Sequence, residues 1–408
     1  MRYLTDLPLI KNKRVLVRVD FNVPIKAGVI TDESRLLASL PTIRFLQKKG
    51  AKIILLSHRK NPQGKVVEDL RLQEVGSQLS KILGTKIFLA QDCLGMKVQQ
   101  QIQSLPAGGI LLLENVRFHA GELTNDSKFA QELAGLADFF IFDAFGVIHR
   151  RHASTVGLAK LLPSFVGKLV EAELKFLGSA LVNPPRPLVL VLGGAKIATK
   201  IGVIKRFSQL ADFILLGGGI ANTFLAAQGV GLGASLYEPE KLALAREILQ
   251  QDQVQQAVLR LPQDVTLFPQ NFGPQSLGRN YSLNLPGLKA QAALPADCKI
   301  LDLGKATQQD FQVKIAQAKL VIWNGPVGLF ELPGAAQGTQ VIAEACQKSA
   351  ARTILGGGDT LAALKQFQIE SQNFTHLSTG GGAMLKFLEG EDLPVLTALS
   401  GCGCAAVG

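Results

Sequence analysis

Short apolar runs alternate along this chain with stretches whose apolar residues recur at helical spacing, and glycine, proline or polar clusters separate them. Arg14–Phe21, RVLVRVDF, predicts a strand that Asn22-Val23-Pro24 stops. After Asp32, the residues Leu36, Leu37, Leu40, Ile43 and Leu46 predict a helix closed by Gly50. Lys52–Ser57, KIILLS, predicts the next strand, and a helix around Leu70–Leu83 leads into the strand KIFLAQ. Ile110–Val116, ILLLENV, predicts a strand running straight into Arg117, and Phe139–Phe142 predicts another that leads into Asp143-Ala144-Phe145-Gly146. Alternating strands and helices with short loops predict an α/β fold built on a doubly wound parallel sheet.

The pattern breaks once. Phe165–Val182 predicts a helix, and Asn183-Pro184-Pro185-Arg186-Pro187 ends it, because adjacent prolines fit neither a helix nor a central strand. The expected organisation is therefore two domains, 1–164 and 188–390, joined by a connecting helix and hinge at 165–187. The second half opens with LVLVLGGAKIATK at Leu188–Lys200, which predicts a strand, a turn at Gly193-Gly194 and a helix carrying Lys196 and Lys200 on one face. Further strands end in glycine turns: FILLGGG at 213–219, VIWNGPVG at 321–328, TILGGGD at 353–359 and HLSTGGG at 376–382.

Composition adds a partner class. A chain of 408 residues exceeds what one core usually serves, which supports two domains. The formal charge of +11 and an isoelectric point near 9.4 point to anionic partners. The basic residues are scattered and only 6% of residues are aromatic, which favours small phosphorylated ligands over nucleic acid. The first residues lack the apolar core of a signal peptide, and no run has membrane-spanning length without charges or glycine breaks. The five cysteines are odd in number and dispersed, apart from Cys402 and Cys404, so a reducing compartment and a cytoplasmic location are expected.

Ligands of doubly wound sheets bind beyond the carboxyl ends of the strands. Asp20, Asn22, His58, Arg117 and Arg150 fall at that edge, and Arg35 opens the first helix. Each alone suits a turn cap or a solvated loop; gathered, the positive groups imply a small, multiply anionic substrate. In the second half, glycine lets a phosphate or a flat base approach the backbone. The GGAK turn offers N–H groups and two lysines to phosphate, although a tight strand-to-helix connection with solvated lysines fits equally. No G-x-x-x-x-G-K-[ST] occurs, and the G-x-G-x-x-A at Gly229, Gly231 and Ala234 follows a helical stretch, outside the nucleotide context. Asp359, after three glycines, suits a magnesium ion on nucleotide phosphates or a helix cap.

The segments RVLVRVDFNVP, LLLENVRFHAGE, DAFGVIHRRHAST, GGAKIATK, WNGPVGLFE, GGGDTLAAL and STGGGAMLKFLEG, in this order, resemble the signature segments of the phosphoglycerate kinase family. The resemblance implies two Rossmann-like domains with the segment 391–408 returning to the first, and phosphoryl transfer between 1,3-bisphosphoglycerate and MgADP. It places 3-phosphoglycerate at Asp20, Phe21, Asn22, Arg35, His58, Arg59, Lys60, Asn61, Arg117 and Arg150. It places the nucleotide at Gly194, Lys196, Lys200, Gly217, Gly218, Gly219, Asn324, Pro326, Glu331, Gly356, Gly357, Gly358, Asp359 and Thr360, with Glu331 on the ribose and Asp359 on Mg2+. Arg35 and Lys196 are the expected catalytic groups, domain closure precedes transfer, and a monomer is expected, without nucleic-acid or membrane partners.

One segment departs from the pattern. The family's Ser-His-Leu-Gly-Arg-Pro reads Ser57-His58-Arg59-Lys60-Asn61-Pro62, so an arginine of the acid site is lost while two basic residues are gained beside it. An active kinase with Arg59 or Lys60 partly replacing that contact is expected. The competing readings are a weakened relative that only binds, a different phosphate enzyme on the same architecture, and a nucleic-acid binder. Pro269–Leu294 reads as a variable surface segment, and Gly401–Gly408 has no family counterpart.

Overall fold

The fold rests on two parallel sheets, seen in a computed structural model that describes residues 1–251, 257–273, 275–283 and 294–401. The chain divides into a first unit, Met1–Lys175 with the segment from Asp392 onward, and a second, Phe176–Glu391. In the first unit, β1 (Arg14–Val19), β2 (Lys52–Leu56), β3 (Ile87–Leu89), β4 (Ile110–Leu112), β5 (Phe139–Asp143) and β6 (Ser164–Val166) order as β3-β4-β2-β1-β5-β6. Val15, Leu16, Val17 and Val19 are all fully buried, because a parallel sheet covered on both faces favours a continuous apolar run over alternation. The first helix, α1 (Ser34–Lys48), sends Leu36, Leu40, Ile43 and Leu46 into this core. Leu37 is 49% exposed, since it follows Leu36 by about 100° on the helix and falls on the next face.

Two predicted elements shift for local reasons. In Ile110–Val116 only Ile110–Leu112 joins the ladder, because the Glu114 carboxylate accepts from Asn115 N–H (2.7 Å) and the Asn115 side chain from Arg117 N–H (3.2 Å). Phe165 lies in β6, and the predicted helix begins only at Lys168. The Asp143 carboxylate accepts from Leu169 N–H at 2.9 Å and Val170 N–H at 3.3 Å, capping that helix. A side chain at Gly167 would meet Asp143 within 2.2 Å, so glycine is needed between strand and helix. The helix Pro394–Gly401 packs in the first unit against Leu158–Leu161; Cys402 and Cys404 lie outside the described residues.

The second unit contains β7 (Leu188–Leu192), β8 (Phe213–Leu216), β9 (Val258–Arg260), β10 (Asp264–Pro269), β11 (Arg279–Ser282), β12 (Cys298–Leu303), β13 (Leu320–Asn324), β14 (Arg352–Gly356) and β15 (His376–Ser378). The parallel sheet orders as β9-β8-β7-β13-β14-β15, and β11-β10-β12 form an antiparallel satellite. Of the predicted surface segment, β11 is exposed throughout, whereas residue 274 and residues 284–293 lie outside the described residues. In each sheet the strand order reverses at the first strand of the unit, between β1 and β5 and between β7 and β13. Such reversals open a crevice at the carboxyl edge. Among the described residues, no helix is long and apolar enough to cross a membrane.

Burial raises the Asp143 carboxyl to about 7, and its Oδ2 meets no hydrogen-bond partner. A folded-state value above the unfolded one means that this group's stabilisation is complete below about pH 4 and lost as pH rises through 7. Asp143→Asn should therefore lose less stability than the parent between pH 5 and pH 8, by at least about 1 kcal/mol. Denaturant unfolding at both pH values measures this, and an unchanged difference refutes it.

Candidate active site

Asp20 and Asn22 follow β1 at the reversal of the first sheet, and the opening turn of α1 brings Arg35 to them. The Arg35 guanidinium donates to Asp20 Oδ1 (3.1 Å) and to the Asn22 carbonyl (3.0 Å), which fixes the side chain at the strand edge. His58, just beyond β2, is 3% exposed, and its Nδ1 lies 3.8 Å from Asp20 Oδ1. Phe21 belongs elsewhere. Its ring is fully buried in the core, so it serves the edge only through its backbone N–H, which donates to Ser57 Oγ at 2.9 Å.

Arg18 is a participant that the sequence pattern concealed, since it reads as one position within an apolar strand. It is fully buried; Nε donates to Ser154 Oγ (2.8 Å), NH1 to the Val19 carbonyl and NH2 to His58 Nδ1 (3.2 Å). Ser154 Oγ in turn donates to the buried Glu122 carboxylate (2.7 Å), which also accepts Ser154 N–H (2.9 Å) and lies 3.4 Å from His152 Nδ1. Burial opposes ionisation of Glu122, but His152, Arg18 and Ser154 together hold its carboxyl below the usual value. His58 moves the other way. Desolvation, then the charges of Arg18, Arg117 and Arg35, push its pKa well below 6.5, so the ring is neutral near pH 7 and acts as a hydrogen-bonding group.

The departing loop has a definite geometry. Arg59 is 6% exposed and turns away from the edge, donating to the carbonyls of Asp69 (2.6 Å) and Arg71 (3.1 Å). It anchors a neighbouring loop, so the expectation that it replaces the lost arginine fails on the direction of its side chain. Lys60 occupies left-handed backbone space, φ 49°, which accounts for the family's glycine at this position. Its N–H donates to Asn22 Oδ1 (2.9 Å) and its carbonyl accepts from Arg117 NH1 (2.7 Å), while the side chains of Lys60 and Asn61 are exposed. Arg117 Nε is buried without a partner, and burial with the charges of Arg18 and Arg150 lowers Arg117 to about 10. That guanidinium is only half satisfied by protein. Arg150 is exposed and acts on this group through charge.

In the second unit, the turn after β7 is pressed against the turn after β13. Gly193 N–H donates to the Asn324 carbonyl (3.1 Å) and Gly194 N–H to the Pro326 carbonyl (2.8 Å), and a Cβ at Gly193 would lie 2.0 Å from the Pro326 oxygen. The predicted continuous helix from this turn does not form. Lys196 precedes a 3-10 turn at Ile197–Thr199, and α-helix starts only at Ile201, so the two lysines lie on different elements. The Glu238 carboxylate accepts the N–H groups of Ile197 and Ala198, so these amides are already occupied by a protein anion. Lys196 is exposed, whereas Lys200 is 7% exposed and its amine donates to the carbonyls of Gly193 and Asn324 (2.7 Å for the latter). Desolvation lowers Lys200 to about 7, against a smaller opposing pull from Asp359.

Two adjoining cavities open at this edge. One of about 340 Å³ is lined by Lys196, Lys200, Asn324, Gly357, Gly358 and Asp359. The other, about 260 Å³, has Gly194, Gly218, Gly219, Pro326, Glu331 and Asp359 in its wall together with Leu236, Val265 and Phe330. The first suits phosphates, the second a base and sugar between apolar and polar walls. Asn324 Nδ2 is buried without a partner and stands beside Gly357 in the first cavity. Asp359 is exposed at the start of the helix Gly358–Gln366, a hard oxygen donor that fits a magnesium ion. Thr360, by contrast, is consumed internally, accepting Gly325 N–H (2.8 Å) and donating to the Gly356 carbonyl (3.0 Å). Gly217 and Gly356 lie behind the walls, as the cap of one helix and the end of β14.

Sequence and structural relatives agree on one family. The family model described as phosphoglycerate kinase matches residues 4–391. A phosphoglycerate kinase of Moorella thermoacetica is 44% identical over 397 residues, covering 97% of this chain and 98% of the relative. One of Trichodesmium erythraeum is also 44% identical, over 96% of both. Among solved structures, phosphoglycerate kinase from Coxiella burnetii superposes with a TM-score of 0.86 at 37% identity, covering 98% of this chain and 99% of that one. The enzyme from Pyrococcus horikoshii gives 0.83 at 32%, over 98% of both. The chain belongs to the phosphoglycerate kinase family.

Proposed function

We propose that this chain uses the basic edge of its first unit for 3-phosphoglycerate and the glycine-walled cavities of its second for MgADP and MgATP. The reaction is the reversible, ATP-dependent phosphoryl transfer of its family, a step of glycolysis. The observation that carries the residue assignment is the half-satisfied Arg117 beside Arg35 and His58, a set of donors suited to an anion, with Asp20 holding Arg35 in place. In the forward direction an ADP oxygen attacks the acyl phosphate, the bond from phosphorus to the carboxyl oxygen breaks, and a carboxylate leaves. Nucleophile and leaving group are both ionised near neutral pH, so no general base is required and a neutral His58 is no handicap. Catalysis then lies in positioning and charge neutralisation. Arg35, fixed by Asp20, and the exposed Lys196 supply positive charge to the transferring group. Asp359 holds Mg2+, which supplies charge to the nucleotide phosphates, and Glu331 takes the ribose. The protein acts as a cytoplasmic monomer.

A coupled assay of 3-phosphoglycerate-dependent ATP consumption tests the activity itself; its absence in folded protein would leave the weakened-relative reading, which Asn61 alone motivates. Lys196→Ala should reduce turnover by about a hundredfold or more with a much smaller change in nucleotide affinity. Near-normal turnover would exclude Lys196 from the transferring phosphoryl.

For the acid loop, Asn61→Arg should lower the Michaelis constant for 3-phosphoglycerate by about tenfold, the scale of one charge-assisted hydrogen bond. Arg59→Ala should leave that constant unchanged and lower the unfolding temperature, because its contacts are the carbonyls of Asp69 and Arg71. The reverse pattern in steady-state kinetics and thermal melts would restore Arg59 to the acid site.

Lys200 predicts a proton linkage. Its amine is largely neutral at pH 8 when only carbonyls surround it, and phosphate raises its pKa again. ADP binding at pH 8 should therefore take up a substantial fraction of a proton, read by calorimetry in buffers of different ionisation enthalpy. Lys200→Gln should abolish the uptake, and equal uptake in both proteins rules this linkage out.

A further inference from the structure

We propose that Asp92, Cys93 and His119 form a site for a thiophilic divalent cation of the Zn2+ type, on the loops that follow β3 and β4 in the first unit. One donor atom from each residue lies within 4.8 Å of the other two, the one such group of three among the described residues. The geometry is held from several sides. His119 Nε2 is 2.6 Å from Asp92 Oδ1, and the imidazole stacks on Phe129 with ring centroids 4.8 Å apart at 23°. The same Asp92 oxygen accepts Cys93 N–H at 2.6 Å, and Cys93 Sγ donates to the Glu114 carbonyl at 3.0 Å.

Thiolate, imidazole and carboxylate are the donor types of zinc, and three protein donors leave a fourth position for water. Asp92 and His119 are 57% and 27% exposed, so a cation can enter from solvent, while the fully buried Cys93 closes the inner end. The cation displaces the hydrogen-bonded proton between His119 and Asp92, and that proton and the Cys93 thiol proton both pass to solvent as the metal–nitrogen and metal–sulfur bonds form. No electron is transferred. None of the three residues takes part in the phosphoryl transfer, yet the site touches the segment that carries Arg117. Glu114, whose carbonyl the thiol meets, accepts Asn115 N–H (2.7 Å), and Asn115 Oδ1 accepts the N–H groups of Arg59 (3.1 Å) and Arg117 (3.2 Å). An occupied site therefore ties the residue 90–93 loop to the loop that supports the acid-binding arginine.

The test is a Co2+ titration of the full chain carrying Cys402→Ser and Cys404→Ser, which removes the paired tail thiols as competing ligands. Saturable binding with a thiolate-to-cobalt charge-transfer band, reversed by Zn2+, is expected. Cys93→Ser should abolish the band. His119→Gln, a change at a partly exposed position, should weaken Co2+ at least tenfold while kinase activity in metal-free apoprotein resupplied with Mg2+ stays at the parent level. The proposal fails if no saturable Co2+ binding occurs, if the band survives Cys93→Ser, or if His119→Gln binds Co2+ as the parent does.

Discussion

A guanidinium sealed inside a parallel sheet is the constraint on which the first unit depends. Arg18 is fully buried, and a buried charge is tolerated only when its donors are all met and an opposite charge stands near. Ser154, Val19 and His58 each accept from one of its three nitrogens, and Glu122, reached through Ser154, supplies the charge. Three segments distant in sequence are thereby brought to one point under the strand edge. Neutrality of His58 follows from its burial first and then from the charge of Arg18 beside it. The charged strand edge of the unit is thus built outward from a buried guanidinium.

The second unit solves its own problem with backbone. Its cavities need chain segments closer together than side chains allow, so Gly193 packs on Pro326 and Gly219 on Ala195, where Cβ atoms would lie 2.0 Å and 2.6 Å from carbonyl oxygens. The carbonyls turned inward by that packing then need donors, and the Lys200 amine provides them. The glycine turns are therefore structural joints first, and they line the two cavities of this edge as a result.

What the sequence disclosed and what it hid follow from range. Strands β1, β2, β5, β7 and β13, the glycine turns and the charged edge were legible because each depends on neighbours in the chain. Arg18 was hidden because a strand's apolar pattern cannot report a partner 136 residues away. Arg59 was misdirected for the same reason, since its carbonyl partners lie on another loop. Phe165 misled because apolar residues stand on both sides of the junction between β6 and the following helix, and Gly167 with the capping carboxylate of Asp143 marks where one becomes the other. The GGAK turn looked like a free anion nest because Glu238, its internal anion, comes 41 residues later. The motif-level resemblance recovered the family, whereas side-chain directions within the motifs required the folded chain.

The buried amine of Lys200 has a consequence for how the empty enzyme lives among the anions of a cell. A cleft lined with fully charged lysines attracts inorganic phosphate and sulfate, which then compete with nucleotide. Here one cation is withdrawn into the protein, donating to the carbonyls of Gly193 and Asn324, and burial lowers its pKa to about 7. The resting cleft therefore presents less positive charge to simple anions near neutral pH than its lysines alone suggest.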